Sequence, residues 1–550
     1  MIPNTCCKIF NPIPNTREMI FRPPAIPSRG HLYILDTMRA WAVIWMASFH
    51  CLYLPKSMNL TWARSLQYHS FVGWFTNGHL CVDLFFLISG FLICRVILRE
   101  EHRYKKPLRI LRFMCRRILR VWPLYLTVIT FHLTVVTSII PARQCNSPGA
   151  VVATVFFVQN FFEYNAMCMP WLWSVAVEVQ FYFIIAVLFW LTSPNHFSIS
   201  VHVSAVRVEQ NQLYMRMRKL LCWLMVVCTL VYRLVYVETH YGRFPFNLDL
   251  PNRFATDLYT NLAGRLGGLF IGTLCAIYYW ENLELPLMIS LMNETKKNVQ
   301  TRKETIETGK QERQENVHVL FVTKTDVLEE EEVKQEVGVK ITGELRYWCM
   351  LFVGALGALV VSLNNTYVVF ETPCAFEGIP SPPNLNVTSW YRPPPSLSSR
   401  SSNVTSYNYY YSPQCKQTAS RAFGNFYIST FRLLYITFAA LFLYAWLALS
   451  MRAVTKSSTL YWYLSLFIEH PFWYYVAQVS YGLYLFNPYA VGLLTVPSLP
   501  TSFSGDIVQP TVWFLIFVAF FVNVVSLFFG TLGHLFIERP IMNLRAIYFR

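Results

Sequence analysis

Long apolar runs alternate with short polar, often basic stretches along this chain. Ten of the runs are long enough to cross a hydrocarbon core as helix, which takes about 20 residues. They fall near 33–54, 80–98, 118–139, 172–192, 220–237, 262–280, 347–363, 427–449, 473–496 and 511–533. None shows the period-two alternation of a membrane-spanning strand. The fold class expected is therefore all-α, a polytopic transmembrane helical bundle of about ten spans. A further apolar stretch, AVVATVFFVQNFF, precedes the fourth span and reads as interfacial or re-entrant. No internal repeat is evident, which argues against an inverted-repeat transporter.

The polar stretches divide the chain. Residues 1–32 form an N-terminal segment, and 33–280 a membrane core of six spans. A densely charged insertion, 281–346, reads as disordered or loosely helical, and span seven follows at 347–363. A Pro-, Ser- and Tyr-rich loop occupies 364–426, and the last three spans with the C-terminus occupy 427–545. No apolar leader pattern marks the first thirty residues, so the first span is expected to act as its own insertion signal.

Charge sets the expected orientation. Arg95 to Arg120 contains ten Lys or Arg and two Glu, which places that loop on the cytoplasmic side. Ten spans then put both termini in the cytoplasm, and the endomembrane system or plasma membrane is the expected location. The loop 364–426 falls outside. It carries sequons at Asn364, Asn386 and Asn403 and the cysteines Cys374 and Cys415, so a glycoprotein is expected. The sequon at Asn59 also falls outside. Cys145 and Cys168 flank another outer segment as candidates for a second bridge. The formal net charge of +16 is accounted for by Lys and Arg beside apolar runs, so the bilayer is the expected partner and nucleic acid is not.

Polar residues inside the spans are the candidate chemistry, because ionisable groups in hydrocarbon are costly. Arg39 and His50 lie eleven residues apart in LDTMRAWAVIWMASFH. As helix they share a face to within roughly 20° and stand roughly 16 Å apart along the axis. A snorkelling Arg with a merely hydrogen-bonded His is the plainer account. Glu178, in WLWSVAVEVQFY, needs a partner, with His50 or an Arg as candidates. Arg116, Arg117 and Arg120, in RRILRVWP, suit phosphate recognition or lipid anchoring. His79 and Asp83 are i,i+4 neighbours but too few ligands for a metal, and none is expected. Gly90 suits close helix packing, and Glu538–Arg539 an interfacial ion pair.

Together the segments LDTMRAWAVIWMASFH, VDLFFLISGFLI, RRILRVWPLYL, WSVAVEVQFYF, GRLGGLFIGTLCA, VSYGLYL and FIERP resemble, in order, the acyltransferase 3 family of integral-membrane O-acyltransferases, which includes nose-resistant-to-fluoxetine-like proteins. The resemblance implies an acyltransferase that moves an acyl group, acetyl foremost, from acyl-coenzyme A to a hydroxyl of a carbohydrate, lipid or small molecule. It implies required roles for Arg39 and His50 and a part in activity for the basic motif of Arg116, Arg117 and Arg120. On that footing Arg39 and the three arginines would bind the donor and His50 would act as general base. Our own addition is that Glu178 orients His50 or stabilises its charged form. Acyl-CoA is then a donor substrate, with no permanently bound cofactor. Many family members carry His after the SYxLYL motif, where this chain has Asn487. A non-catalytic transporter of lipids or hydrophobic compounds on the same fold, or a receptor or scaffold, remains an alternative.

Overall fold

The computed structural model describes residues 31–57, 72–139, 143–193, 204–240, 255–290, 293, 344–363, 421–453, 459–495 and 512–548. Among them are ten long helices, one for each predicted run, and no strand. They are α1 (Tyr33–Ser57), α2 (Cys81–Tyr104), α3 (Ile110–Phe131), α4 (Trp173–Leu191), α5 (Ser204–His240), α6 (Leu262–Tyr279), α7 (Glu344–Leu363), α8 (Arg421–Ala453), α9 (Pro471–Thr495) and α10 (Val512–Gly533). Eight of these, all but α1 and α9, are long and apolar enough to cross a membrane by length and composition. The two exceptions carry Asp36, Arg39 and His50, and Gln478, Ser480 and Asn487, which lower their hydropathy. They also pack against each other, and α10 packs against both.

The centre is α2 against α6, the most enclosed of the eight spans. Their backbones meet at two glycines. A Cβ on Gly90 would lie 2.0 Å from the Leu269 carbonyl oxygen, and one on Gly272 would lie 2.1 Å from that of Leu87. The close approach maximises dispersion contact where water offers no driving force between helices. Gly90 thus serves the packing role expected of it.

Ion pairs tie this crossing at both ends. At one end Asp83 of α2 accepts from Arg265 of α6 at 2.8 Å and from Arg432 of α8. Arg233 of α5 joins the group through the carbonyls of Ser429, at 2.8 Å, and Gly264. At the other, basic end Glu284 accepts from Arg95 at 2.8 Å and from Arg99. Glu101 there accepts from Arg218 at 2.9 Å, and the Arg218 guanidinium lies 4.4 Å from the Phe189 ring.

Glu284 corrects an expectation. The charged insertion read as starting at residue 281 begins inside the fold: α6 continues helically through Trp280–Glu284 to residue 290. Glu281 pairs with Lys219 at 2.9 Å, and Glu284 is only 3% exposed. Arg95 and Arg99 of α2 draw Glu284 in, and Lys219 of α5 draws Glu281. A second correction concerns Glu538, whose ion-pair partner is His534 at 3.0 Å rather than Arg539; one helical turn aligns the first two side chains.

The apolar stretch before α4 folds as a short helix, Pro148–Val155, and a series of tight turns. Tyr125 of α3 donates to Thr154 O at 2.9 Å, and Gln159 donates to Leu172 O at 3.0 Å. A disulfide joins Cys145 to Cys168, closing this segment over the end opposite the basic one. Cys374, Cys415, the sequons at Asn59, Asn364, Asn386 and Asn403, and residues 294–343 of the insertion lie outside the described residues.

Two outcomes follow from this packing. Gly90→Ala or Gly272→Ala should cost about 1–3 kcal/mol by overpacking, seen as a lower melting temperature of the detergent-solubilised protein; an unchanged melting point would refute the close crossing. Asp83→Ala leaves two buried guanidiniums uncompensated and should cost about 3–5 kcal/mol. The same melting assay checks it, and a loss no larger than for an exposed Asp would contradict the buried cluster.

Candidate active site

Two of the polar groups on α1, His50 and Arg39, each face a different set of neighbours. The first is His50. Helices α1 and α9 run in parallel: Thr37 donates to Ile468 O just before the start of α9, and thirteen residues further along α1 the His50 ring meets Asn487. His50 Nδ1 lies 2.5 Å from Asn487 Oδ1. Asn487 is fully buried, and its Nδ2 donates to Ser526 Oγ of the antiparallel α10 at 3.3 Å. One turn away Asn523 donates to Ser48 Oγ at 3.3 Å. A polar seam therefore runs between α1, α9 and α10 in otherwise apolar surroundings. His50 itself is only partly buried. Pro488, which follows Asn487, has no N–H for the carbonyl one turn back, so the backbone of α9 is locally unsupported there.

The second group is Arg39, also partly buried. It makes no hydrogen bond or ion pair among the described residues, yet it lies within electrostatic reach of Arg120, Asp36, Glu178 and Tyr182. Glu178 Oε1 accepts from Ser89 Oγ at 2.6 Å and from Tyr182 OH at 2.8 Å. Arg117 lies over Tyr182, its guanidinium 6.0 Å from the ring centre. Arg120 is exposed. Arg39, Arg117 and Arg120 thus gather around Tyr182, with Arg39 also within electrostatic reach of Glu178.

Hydroxyl groups occupy the interval between the two sites. Ser174 lies one turn before Glu178 on α4, and its Oγ is 2.7 Å from the hydroxyl of Tyr484, which also donates to Trp171 O. Tyr481 and Tyr484 lie two turns and one turn before Asn487 on α9. Both keep some accessible surface, and Tyr481 is within electrostatic reach of Glu178 and Tyr182.

The site departs from the sequence reading in two places. Glu178 does not reach His50; its hydrogen bonds go to Ser89 and Tyr182, beside Arg39, and Asn487 holds the histidine instead. Arg116 separates from its two neighbours because Glu100 takes it in two bonds of 2.9 and 2.7 Å. Asn487 was visible only as a departure from a motif, and Ser526 and Ser89 carried no sequence signal beyond being polar in an apolar run. One His/Cys cluster of metal-binding dimensions occurs among the described residues, His132 with Cys145 and Cys168, and its two sulfurs are joined as a disulfide.

Comparison with known proteins gives the same direction. A family model described as an acyltransferase domain matches residues 32–531. The peptidoglycan O-acetyltransferase OatA of Listeria monocytogenes is 28% identical over 184 residues, covering 30% of this chain and 26% of that protein. The O-acetyltransferase OatA of Staphylococcus aureus is 29% identical over 175 residues, covering 30% of this chain and 25% of that protein. The matched part is thus about a quarter of the length of these relatives. No solved structure matches the chain significantly.

Proposed function

Since the chain belongs to this acyltransferase-domain family, we propose that it is a multi-pass membrane O-acyltransferase that moves an acetyl group from acetyl-coenzyme A to a hydroxyl of a carbohydrate, lipid or small molecule. The observation that carries this reading is the pairing on α1 of a histidine held at Nδ1 by Asn487 with an arginine that has charge around it but no bonded partner among the described residues. An arginine inside a bilayer without a partner is costly, and a bound polyanion would relieve it.

On this reading the basic end faces the cytoplasm, as do both termini, and it receives the donor. Arg39, Arg117 and Arg120 hold its phosphates, since guanidinium forks donate paired hydrogen bonds to phosphate oxygens. Arg116 is engaged by Glu100 and is not part of this set. Glu178 with Ser89 and Tyr182 keeps the arginine cluster in place. The pantetheine arm then follows the hydroxyls of Tyr481, Ser174 and Tyr484 toward His50. The distance along α1 from Arg39 to His50, roughly 16 Å, is comparable with the length of that arm.

His50 acts as general base. It takes the proton of the acceptor hydroxyl as that oxygen attacks the thioester carbonyl, and the carbon–sulfur bond breaks as the tetrahedral intermediate collapses. The imidazolium returns its proton to the departing thiolate, so the histidine is regenerated. The names of the relatives support an acetyl group and a hydroxyl acceptor; peptidoglycan is the acceptor named for the Listeria protein.

In proteoliposomes with labelled acetyl-coenzyme A, the purified protein should label a hydroxyl acceptor. His50→Ala should lower that transfer by about 10²–10⁴-fold, and transfer that persists in the variant would remove His50 as the base. Arg39→Ala and Arg120→Ala should each raise the KM for acetyl-coenzyme A more than Arg116→Ala does; equal effects at all three positions would contradict the assignment of the donor site.

A further inference from the structure

We infer that Asn487 is a positioning residue for His50: its Oδ1 fixes the imidazole as the Nδ1–H tautomer and leaves Nε2 unprotonated to face the acceptor hydroxyl. This rests on the reading of His50 as general base and goes beyond it.

Hydrogen-bond valence assigns the proton of this contact. A carboxamide oxygen only accepts, so at 2.5 Å the proton of the contact belongs to His50 Nδ1. The amide nitrogen has a partner of its own, since Nδ2 donates to Ser526 Oγ at 3.3 Å, which leaves Oδ1 for the ring. Complete burial of Asn487 removes water as a competitor for either end. In a neutral imidazole one nitrogen donates and the other accepts, so a proton fixed at Nδ1 makes Nε2 the base. A group that holds the tautomer keeps every ring in the reactive form rather than only a fraction of them, and it also fixes the ring plane.

An amide does this differently from a charged partner. It orients the ring without adding a negative charge that would favour imidazolium. Among the described residues no charged group bears on His50 from α1, α2, α4, α9 or α10; the one side chain that does is Asn487. Of the nearby titratable groups, Tyr53 and Tyr164 lie with their hydroxyls 3.5 Å apart, and His79, beyond Phe49, bonds to Thr76 O. The one side-chain hydrogen bond to the ring among the described residues is to a neutral group, and a carboxylate placed there should act on it directly.

The test uses the full-length protein in proteoliposomes with two readouts. Ethoxyformylation of His50, followed by mass spectrometry against pH, reports the free imidazole without any turnover. Acetyl transfer against pH reports the base in action. Asn487→Asp keeps an acceptor for Nδ1–H and should move both the labelling midpoint and the acid limb of kcat/KM to higher pH by about one unit or more. Asn487→Ala should lower kcat at least tenfold while the KM for acetyl-coenzyme A stays within about twofold, and Asn487→Asp should recover most of that kcat above its new limb. A melting curve for each variant separates these effects from misfolding, and if Asn487→Ala does not fold, the Asn487→Asp shift alone decides. An unmoved midpoint in Asn487→Asp overturns the hydrogen bond, and an unchanged kcat in Asn487→Ala overturns the positioning role. If the wild-type protein transfers no acetyl group, the proposed function fails, while the labelling titration still decides whether Asn487 controls His50.

Discussion

Hydrocarbon offers a polar side chain nothing to bond to, so every charge placed inside this bundle has to be answered by another part of the chain. Most of them are. Asp83 gathers Arg265 and Arg432, Glu284 gathers Arg95 and Arg99, and Glu101 holds Arg218. Each of these groups joins helices distant in sequence and so fixes which helices are neighbours. Against that background α1 stands apart. Among the described residues it carries an arginine that meets charge without a bonded partner, and a histidine bonded through one nitrogen. Chemistry is expected where the rule of mutual satisfaction is left open.

The remaining architecture can be understood as support for that helix. The glycine crossing of α2 and α6 makes a stiff centre, and the ion groups at its two ends keep it in register. Ser89, one position before Gly90, reaches Glu178 from this centre, so the packing of α2 bears directly on the arginine cluster. On the other side α9 and α10 supply Asn487 and Ser526, a short polar chain whose end is His50. The disulfide between Cys145 and Cys168 closes the segment that leads into Trp171, whose carbonyl accepts from Tyr484, one turn before Asn487.

Much of this was legible in the chain. Apolar length alone located all ten helices, because the thickness of a bilayer is a strong constraint on sequence. Arg39 and His50 stand out as candidates because polar residues in an apolar run are expensive. Pairings were harder to see. Glu178 was correctly suspected of needing a partner, and Tyr182 lies one helical turn from it, yet nothing along the chain distinguishes His50 from Ser89 as the other; helix neighbours decide it. The Asn487 contact spans 437 residues and depends on α1 and α9 lying parallel, which no local pattern encodes. Glu284 looked like one more solvated acid in a charged insertion, because a paired and an exposed glutamate are identical in sequence until Arg95 and Arg99 are brought beside it.

The central claim is a statement about one proton, and nuclear magnetic resonance of the reconstituted protein with nitrogen-labelled histidine reads it most directly. The His50→Ala variant identifies the signals that belong to His50. At a pH where the ring is neutral, the account predicts a protonated Nδ1 and a bare, pyridine-like Nε2, with that preference weakened in Asn487→Ala. A proton found on Nε2 in the wild-type protein, or signals that Asn487→Ala leaves unchanged, would contradict it.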